Sequence, residues 1–500
     1  YENDNKILNA STGQKFNLGG ISKYHLYRIT RTHLLKFDMT NQINKMHQLQ
    51  GGMEFKYTSI FRRDFSILYN PAEGYDPPEI QTPDVKETTP NYSEMIKNPS
   101  EYAVYLQDKI EVADMIVNAG VRYEVFDPDG ETLSDPADPN IYAPLKLSNR
   151  FHDLDGDGLI SELEAVSDNA KDYADRKEYW YKEASKKIQF SPRLAIAYPI
   201  TDKGVLHFSY GHFFQIPSYT YLYINPEFEV PVGGSVASAT MGNADLEPQK
   251  TVQYEVGFQQ QFGENIGVDV TGFYKDISNL LGSRIVTTFT NEIYGLYVNR
   301  DYGNVKGLTI SLTKRYSNGF SANVDYTYSV AEGNASDPRS AFWDAQNNRE
   351  SEKQLVYLDW DQRHTINGSL LFKLPYQINL SFIGEYGSGL PYTPSNVNLV
   401  GGGFENSARR PQQMNVDMRV TKSFTMAGRE LTFSANVYNL LDIRNEVNVY
   451  TDTGRSGYSL IQTYTAEDPN WNYNSLEEYM NRPSYYSSPR QIRIGVSTSL

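Results

Sequence analysis

Cysteine is absent from all 500 residues of the sequence, which excludes disulfide frameworks, thiolate metal sites and cysteine nucleophiles. No run of about 18 uncharged apolar residues occurs, so a membrane-spanning helix is excluded as well. Basic residues are outnumbered, with 46 Lys and Arg against 61 Asp and Glu and a net charge of −15. This balance argues against a nucleic-acid-binding protein, which would need a basic face.

A leader sequence is also missing, because Tyr1 opens on a polar stretch without a basic segment followed by an apolar one. We therefore expect either a mature form or a chain that begins partway through a longer protein. Tryptophan is scarce, with 4 residues, whereas the sequence contains 39 Tyr and 23 Phe. So many aromatic residues at a mean hydropathy of −0.56 are typical of strands that alternate between two environments.

Alternation of apolar and polar residues is the main pattern of the chain, and it predicts an all-β protein. In the segment 251–262, apolar residues at every second position alternate with Gln, Glu and Gly. We count about fifteen such strands of roughly 10–14 residues each. In the last strand we expect one set of residues to face lipid and the other to face the lumen. The lipid-facing residues are Ile492, Ile494 and Val496, and the lumen-facing residues are Arg493, Ser497 and Ser499.

The connections between the strands alternate between short and long. The predicted tight turns lie at Asn44-Lys45, Asp202-Lys203-Gly204, Gly263-Glu264-Asn265, Ser317-Asn318-Gly319 and Ala427-Gly428. The predicted long connections are 64–100, 129–189, 218–250, 334–362, 392–412 and 443–487. Soluble domains seldom carry so many long loops, whereas transmembrane barrels have short turns at one membrane face and long loops outside. A soluble sandwich or propeller fits less well, because no constant repeat is present.

Several ordered stretches of the chain resemble the barrel of TonB-dependent outer-membrane receptors, of the type with a carboxypeptidase-regulatory-like N-terminal module. The stretches are Leu35–Gln50, Tyr102–Tyr123, Ser191–Tyr198, Tyr210–Pro217, Asn243–Gly257, Val305–Leu312, Asp361–Gly368, Tyr386–Pro394, Asn436–Asp442 and Arg490–Leu500. The resemblance implies an antiparallel transmembrane barrel of 22 strands around a plug. Residues 1–500 would then be its C-terminal part, with the signal peptide, the plug, the coupling segment and the first strands upstream. Leu500 stands where the family ends in an aromatic residue.

The resemblance also implies a function without covalent chemistry, in the outer membrane of a Gram-negative bacterium. Members of the family take up a scarce nutrient, such as an iron chelate, cobalamin or a glycan. The implied partners are outer-membrane lipid, the ligand and a TonB-type energy-coupling protein, and whether a surface lipoprotein caps the barrel stays open. The alternatives are a passive pore or surface adhesin barrel, and a soluble β-rich binding protein.

One long connection, 129–189, contains an EF-hand-like calcium loop at 153–164, which matches D-x-D-x-D-G-x-I-x-x-x-E at every position. Calcium prefers six to eight oxygen ligands, which here would come from carboxylates, one carbonyl and one water-mediated position. We expect this extracellular loop to bind structural Ca²⁺ and to continue into a short helix with Leu163, Val166, Ala170 and Tyr173 on one face. The predicted ligands are Asp153, Asp155, Asp157, Leu159 (through its carbonyl), Ser161 (through water) and Glu164.

The remaining candidate residues are aromatic. Tyr219, Tyr221 and Tyr223 follow the strand 204–217, and their rings could bind a chelate or a sugar, although simple packing in the loop explains them equally well. Catalysis is not indicated, because the seven His residues are scattered. His207 and His212 lie in one strand on opposite faces, so they cannot share a metal. We therefore expect no enzyme activity and no redox or organic cofactor.

Overall fold

A computed structural model describes residues 24–66, 92–225, 240–334, 337–346, 355–395, 404–426, 428–460, 480 and 482–498. All structural statements below refer to these residues. Parts of the predicted long connections, Ala427 of one predicted turn, and the terminal Ser499 and Leu500 lie outside them.

Fifteen strands of eight or more residues form one large sheet, as the alternation predicts. They are β1 (Tyr24–Gln42), β2 (His47–Ser66), β4 (Ser100–Val112), β5 (Met115–Asp127), β8 (Lys187–Thr201), β9 (Gly204–Gln215), β11 (Gln249–Phe262), β12 (Ile266–Thr287), β13 (Ile293–Ser317), β14 (Phe320–Gly333), β16 (His364–Leu374), β17 (Ile378–Gly387), β20 (Gln413–Met426), β21 (Arg429–Tyr438) and β22 (Gln491–Thr498).

Shorter elements occupy the long connections. The short strands are β3 (Tyr92–Lys97), β6 (Glu131–Leu133), β7 (Tyr181–Glu183), β10 (Thr240–Met241), β15 (Val356–Tyr357), β18 (Pro391–Tyr392) and β19 (Ala408–Arg409). The α-helices are α1 (Leu147–Arg150), α2 (Tyr173–Trp180), α3 (Tyr219–Tyr223) and α4 (Ser340–Gln346), and 3₁₀ turns cover Ser167–Asn169 and Pro483–Tyr485.

The long strands pair in the order in which the chain makes them, each antiparallel to the next. This meander gives a single continuous wall, because each hairpin returns beside the strand it has just left. Within the described residues, β1 pairs only with β2, and β22 pairs only with β21. The predicted antiparallel all-β architecture is therefore confirmed.

Several strands are longer than predicted, and the longest two also correct the predicted order of short and long connections. β12 has 22 residues and β13 has 25, well beyond the 10–14 expected. Their far ends are joined by residues 288–292 alone, so the expected strict alternation of short and long connections is wrong at this position. Strict alternation stops in this outer part of the hairpin, where apolar residues occur in adjacent pairs such as Leu280-Leu281 and Ile285-Val286 and the register shifts between Ile277 and Leu281.

The predicted tight turns join the expected strands, and the structure adds two that sequence signals did not indicate. Asn318 and Gly319, both with positive φ, close the β13–β14 hairpin as this residue pair commonly does. Between β16 and β17, in contrast, the positive-φ positions are Tyr376 and Gln377. Neither residue favours this conformation, so propensity alone could not locate the turn.

The two sides of the wall differ in chemistry. Tyr210 and Tyr254 project from one side of β9 and β11, with ring centroids 5.1 Å apart. On the other side of the same two strands, Ser209 donates a hydrogen bond to Glu255 over 2.8 Å. The residues of the last strand, β22, also fall into an apolar and a polar side. Ile492, Ile494 and Val496 lie opposite Val437, Ala435 and Phe433, whereas Arg493 and Ser497 lie opposite Asn436 and Thr432.

The largest buried cluster lies at the end of the wall where the long connections gather. Its seven buried members come from strands and connections that are far apart in the sequence, and each of them is at most 3% exposed. The complete set is Ile60, Phe126, Leu222, Tyr223, Ala244, Leu246 and Tyr297. The connections therefore pack into an ordered cap, which positions the candidate sites described next.

Candidate functional site

The connection between β5 and β8, residues 128–186, folds into a compact unit that we call the insertion. Its bounds are slightly narrower than the predicted 129–189. The carboxylate of Asp138, which is 1% exposed, accepts hydrogen bonds from the backbone N–H of Leu145 and Lys146 and from the Asn149 amide at 2.7–2.9 Å. These three hydrogen bonds fix the backbone around Asp138, because a buried carboxylate without hydrogen-bond donors would destabilise the fold.

The predicted calcium loop brings three carboxylates together. One oxygen each from Asp153, Asp155 and Glu164 lies within 4.8 Å of the others. The Asp153 side chain also accepts hydrogen bonds from the N–H groups of Gly156 and Gly158, at 2.7 and 2.9 Å. Gly158 has φ +85°, a conformation that a residue with a side chain rarely adopts. The sharp turn therefore requires glycine at this position.

Glu164 closes the loop from its far end and is 6% exposed. Its carboxylate accepts hydrogen bonds from Leu154 N–H at 2.7 Å, from Ser161 N–H at 2.9 Å and from the Ser161 hydroxyl at 2.8 Å. These donors, chiefly the Ser161 and Leu154 backbone, lower the pKa of Glu164 to about 2. The side chain is therefore ionised at neutral pH, as a metal-binding carboxylate must be.

The other predicted ligands lie on the same loop but outside that cluster of three. The Asp157 carboxylate accepts the N–H of Leu159 at 2.8 Å and is exposed. The Leu159 side chain is 71% exposed, and only its carbonyl would be available to a cation. Ser161 contacts Glu164, as described above.

The helix expected directly after the loop does not form there. Val166 and Ala170 have extended backbone, and Leu163 is 89% exposed, so their helical spacing does not mark a packed face. Instead α2 begins at Tyr173, where the side chains of Asp172 and Asp175 each accept the other residue's backbone N–H. This capping box stabilises a helix start ten residues later than the apolar pattern indicated.

The insertion is attached to the outer part of the β12–β13 hairpin. Tyr294 is fully buried, and its hydroxyl donates to the carbonyl of Pro136. Phe289 N–H donates to the carbonyl of Ala137 at 3.2 Å, and the Lys146 ammonium lies 4.4 Å from the Phe289 ring centroid. The long hairpin thus supports a loop that precedes it by more than a hundred residues.

The three predicted aromatic residues have different environments, although all lie on α3. Tyr223 is 3% exposed, and its hydroxyl donates to the Pro128 carbonyl, so it belongs to the packed cap. Burial raises the pKa of this phenol. The Tyr221 ring packs edge-on against Tyr297 at 5.0 Å. Tyr219 lines a cavity.

The cavity beside Tyr219 has a volume of about 430 Å³ and is lined by charged side chains of the wall. Lys56 pairs with Glu101 at 2.8 Å, and the Tyr219 hydroxyl lies 3.4 Å from the same carboxylate. Arg122 and Glu124 form a second pair at 2.8 Å. None of these four charged residues was among the candidates predicted from the sequence. Their only sequence signal is their alternation with apolar residues along the strands.

An antiparallel wall with one apolar and one polar side, with packed connections at one end, is typical of membrane-spanning β-barrel proteins. The model of the TonB dependent receptor-like, beta-barrel family matches residues 1–440, and the chain belongs to this family. The family is located in the Gram-negative outer membrane and is one of receptors and transporters, which is not an enzyme class.

Solved structures of the same class share the fold at low sequence identity. The outer membrane transporter YddB from Escherichia coli is 14% identical, with a TM-score of 0.56 over 85% of this chain and 52% of that chain. P. aeruginosa FpvA bound to heterologous pyoverdines is 12% identical, with a TM-score of 0.54 over 95% and 48%. The ferric yersiniabactin uptake receptor FyuA from Yersinia pestis is 11% identical, with a TM-score of 0.52 over 95% and 54%.

The chain spans about half the length of these solved structures. None of the helices in the described ranges has the length and apolar character needed to cross a membrane.

Proposed function

We propose that the chain forms part of the wall of an energy-coupled outer-membrane importer for a scarce nutrient. The match of the family model to residues 1–440 carries this proposal. It is supported by a sheet with one apolar and one polar side, which could separate lipid from a passage for solute. The expected partner is a TonB-type energy-coupling protein, and the ligand is an iron chelate, cobalamin or a glycan. A surface lipoprotein as a further partner stays a prediction.

Uptake measurements can test this proposal in a strain from which the receptor gene has been deleted. The strain, complemented with the full-length receptor gene, should accumulate its ligand only while the energy-coupling system is intact. Growth on limiting iron chelate, cobalamin or oligosaccharide as the scarce nutrient identifies the ligand class. Uptake that continues at the same rate after the coupling protein is deleted would instead indicate a passive pore.

We further propose that the loop 153–164 binds one Ca²⁺ that braces the insertion. The supporting observation is the set of three carboxylate oxygens within 4.8 Å, from Asp153, Asp155 and Glu164, held by backbone donors. Hard oxygen donors around a tight glycine turn suit this cation. Without a cation, the negative charges of the three carboxylates would repel one another. A single loop of this kind outside the cell is expected to bind in the range of about 10⁻⁴–10⁻³ M.

Limited proteolysis in millimolar Ca²⁺ tests this second proposal. We expect combined Asp155→Ala and Glu164→Ala substitutions to make the insertion protease-sensitive, because the bound cation no longer ties the loop ends together. The matched control is Asp168→Ala with Glu162→Ala, which removes two nearby exposed carboxylates outside the cluster. Cleavage of the Asp155 and Glu164 double variant at the rate of the wild-type protein would mean that the site is not structural.

A further inference from the structure

Two neighbouring cavities lie on the polar side of the last five long strands, away from both sites described above. Their volumes are about 460 and 200 Å³, and both are lined by Asn415 and Asn445. They lie near the ends of these strands that lead into the long connections 388–412 and 439–490. The two cavities therefore form one continuous recess at the capped end of the wall.

The strand register places five polar side chains along this recess, one on each of five successive strands. Asn367 lies opposite Glu385, Glu385 lies opposite Asn415, and Tyr438 lies opposite Gln491. Between Asn415 and Tyr438 the row steps by two residues along the strands, because Val437 lies opposite Met418. We call these five residues the polar row. It crosses five strands, and at about 4.8 Å between neighbours it spans about 19 Å. This length suits an elongated ligand better than a compact one.

Most of the polar row is available to a ligand. Among the described residues, the side chains of Asn367, Glu385 and Gln491 have no hydrogen-bond partner, and all three are exposed. Asn415 is held by its amide, which donates to Asp417 at 3.0 Å. The Tyr438 ring lies 5.1 Å from the guanidinium of Arg493, which orients it within the recess. The row thus combines free amide groups with one positioned aromatic face.

The chemistry of this recess favours a neutral ligand rich in hydroxyl groups. Amides can donate to and accept from hydroxyl groups, ionised carboxylates accept from them, and an aromatic face packs against the apolar face of a sugar ring. The charged groups are Glu385, Asp417 and Arg493, so the recess has an excess of negative charge that disfavours anionic chelates. We infer that the polar row binds an oligosaccharide along the wall. This inference rests on the proposed uptake function and specifies its substrate class.

Binding to the purified full-length receptor in detergent tests the inference. The probes are maltopentaose, cellopentaose, xylopentaose and laminaripentaose, with a ferric catecholate and cobalamin as the competing ligand classes, all measured by isothermal titration calorimetry. We expect at least one oligosaccharide to bind and the combined Asn367→Ala and Gln491→Ala substitutions to weaken it about tenfold or more, since two hydrogen-bonding groups are lost. The matching disaccharide should lose less, because it cannot reach both positions.

The control is Asn379→Ala, which removes an amide from the same side of β17 near the short-turn end of the strand. It should leave oligosaccharide affinity within a factor of two, and both variants should migrate as folded barrels in unheated gels. Binding of none of the four oligosaccharides, or equal binding by all variants, overturns the inference. Energy-dependent uptake of the ferric catecholate or cobalamin, unaffected by the polar-row variants, would overturn it while leaving the proposed importer intact.

Discussion

At the scale of single residues, Glu164 shows how local donors prepare a carboxylate for a charged role. Its three hydrogen bonds come from Leu154 and Ser161, which both lie within the same loop. The acidic motif already indicated this residue. The environment of Tyr223, in contrast, depends on segments far away in the chain, and no local pattern separates it from the cavity-lining Tyr219.

The lowered pKa of Glu164 predicts a pH dependence of the loop in calcium-free buffer. Its pKa is about 2 in the folded protein against an ordinary value of 4.5, so ionisation stabilises the fold above about pH 4.5. This contribution is lost as the pH falls from 4.5 to about 2. Hydrogen exchange of peptides covering 150–170, corrected for intrinsic rates, should show protection falling between pH 5 and pH 3.

The variant Glu164→Gln should lose most of this protection already at pH 5 and show little further change on acidification. Glu162→Gln is the matched control, since this neighbouring carboxylate is exposed and lies outside the cluster of three carboxylates. It should behave as the wild-type protein does. A loop whose protection is equal in both variants at every pH would contradict the role assigned to Glu164.

At the scale of elements, the two-residue period predicts most of the strands well. The residue preferences of turns predict the turns less well. Alternation fixes which residues share a side, because successive side chains in a strand point in opposite directions. It stops in the outer parts of β12 and β13, where apolar residues occur in adjacent pairs such as Ile285-Val286 and the hairpin nevertheless forms. The turn at Tyr376 and Gln377 lacks favourable residues, so the pairing of β16 with β17 must impose its conformation.

Because β22 has an apolar and a polar side, we expect an introduced charge to affect barrel assembly differently on the two sides. Val496 lies opposite Phe433 on the apolar side, whereas Ser497 lies opposite Thr432 on the polar side. Val496→Arg should reduce assembled barrel in outer-membrane fractions strongly, since a lipid-facing Arg costs about 2–4 kcal/mol near the bilayer midplane. Ser497→Arg should be nearly neutral. Quantitative immunoblots of heat-modifiable protein measure both, and similar losses for the two variants would show that the sides are assigned wrongly.

At the scale of the whole molecule, the capped end is held together by contacts between segments that are distant in the sequence. The insertion meets the β12–β13 hairpin through Tyr294 and Phe289, and the cluster around Tyr223 joins strands from both halves of the sheet. These connections therefore pack against one another and against strands that are distant in the sequence.

This arrangement predicts that Tyr294→Phe loosens the insertion without disturbing the wall. The substitution removes the donor to the Pro136 carbonyl, a part-buried hydrogen bond worth about 0.5–1.5 kcal/mol. Limited proteolysis should then cut within 130–146 several-fold faster, while the barrel keeps its heat-modifiable migration. Tyr302→Phe, on the same strand but 53% exposed, serves as the control. Equal cleavage of both variants would place the anchor of the insertion elsewhere.

The sequence by itself determined the all-β class, the number of long strands, most of the turns and the position of the calcium-type loop. These features depend on neighbours two to twelve residues apart, so a local pattern is enough to specify them. The tertiary structure alone decided that Tyr223 is buried, that the insertion rests on the β12–β13 hairpin and that Asn367, Glu385 and Gln491 share one recess. Strand register and burial bring these residues together across large sequence distances, and no local periodicity carries that information.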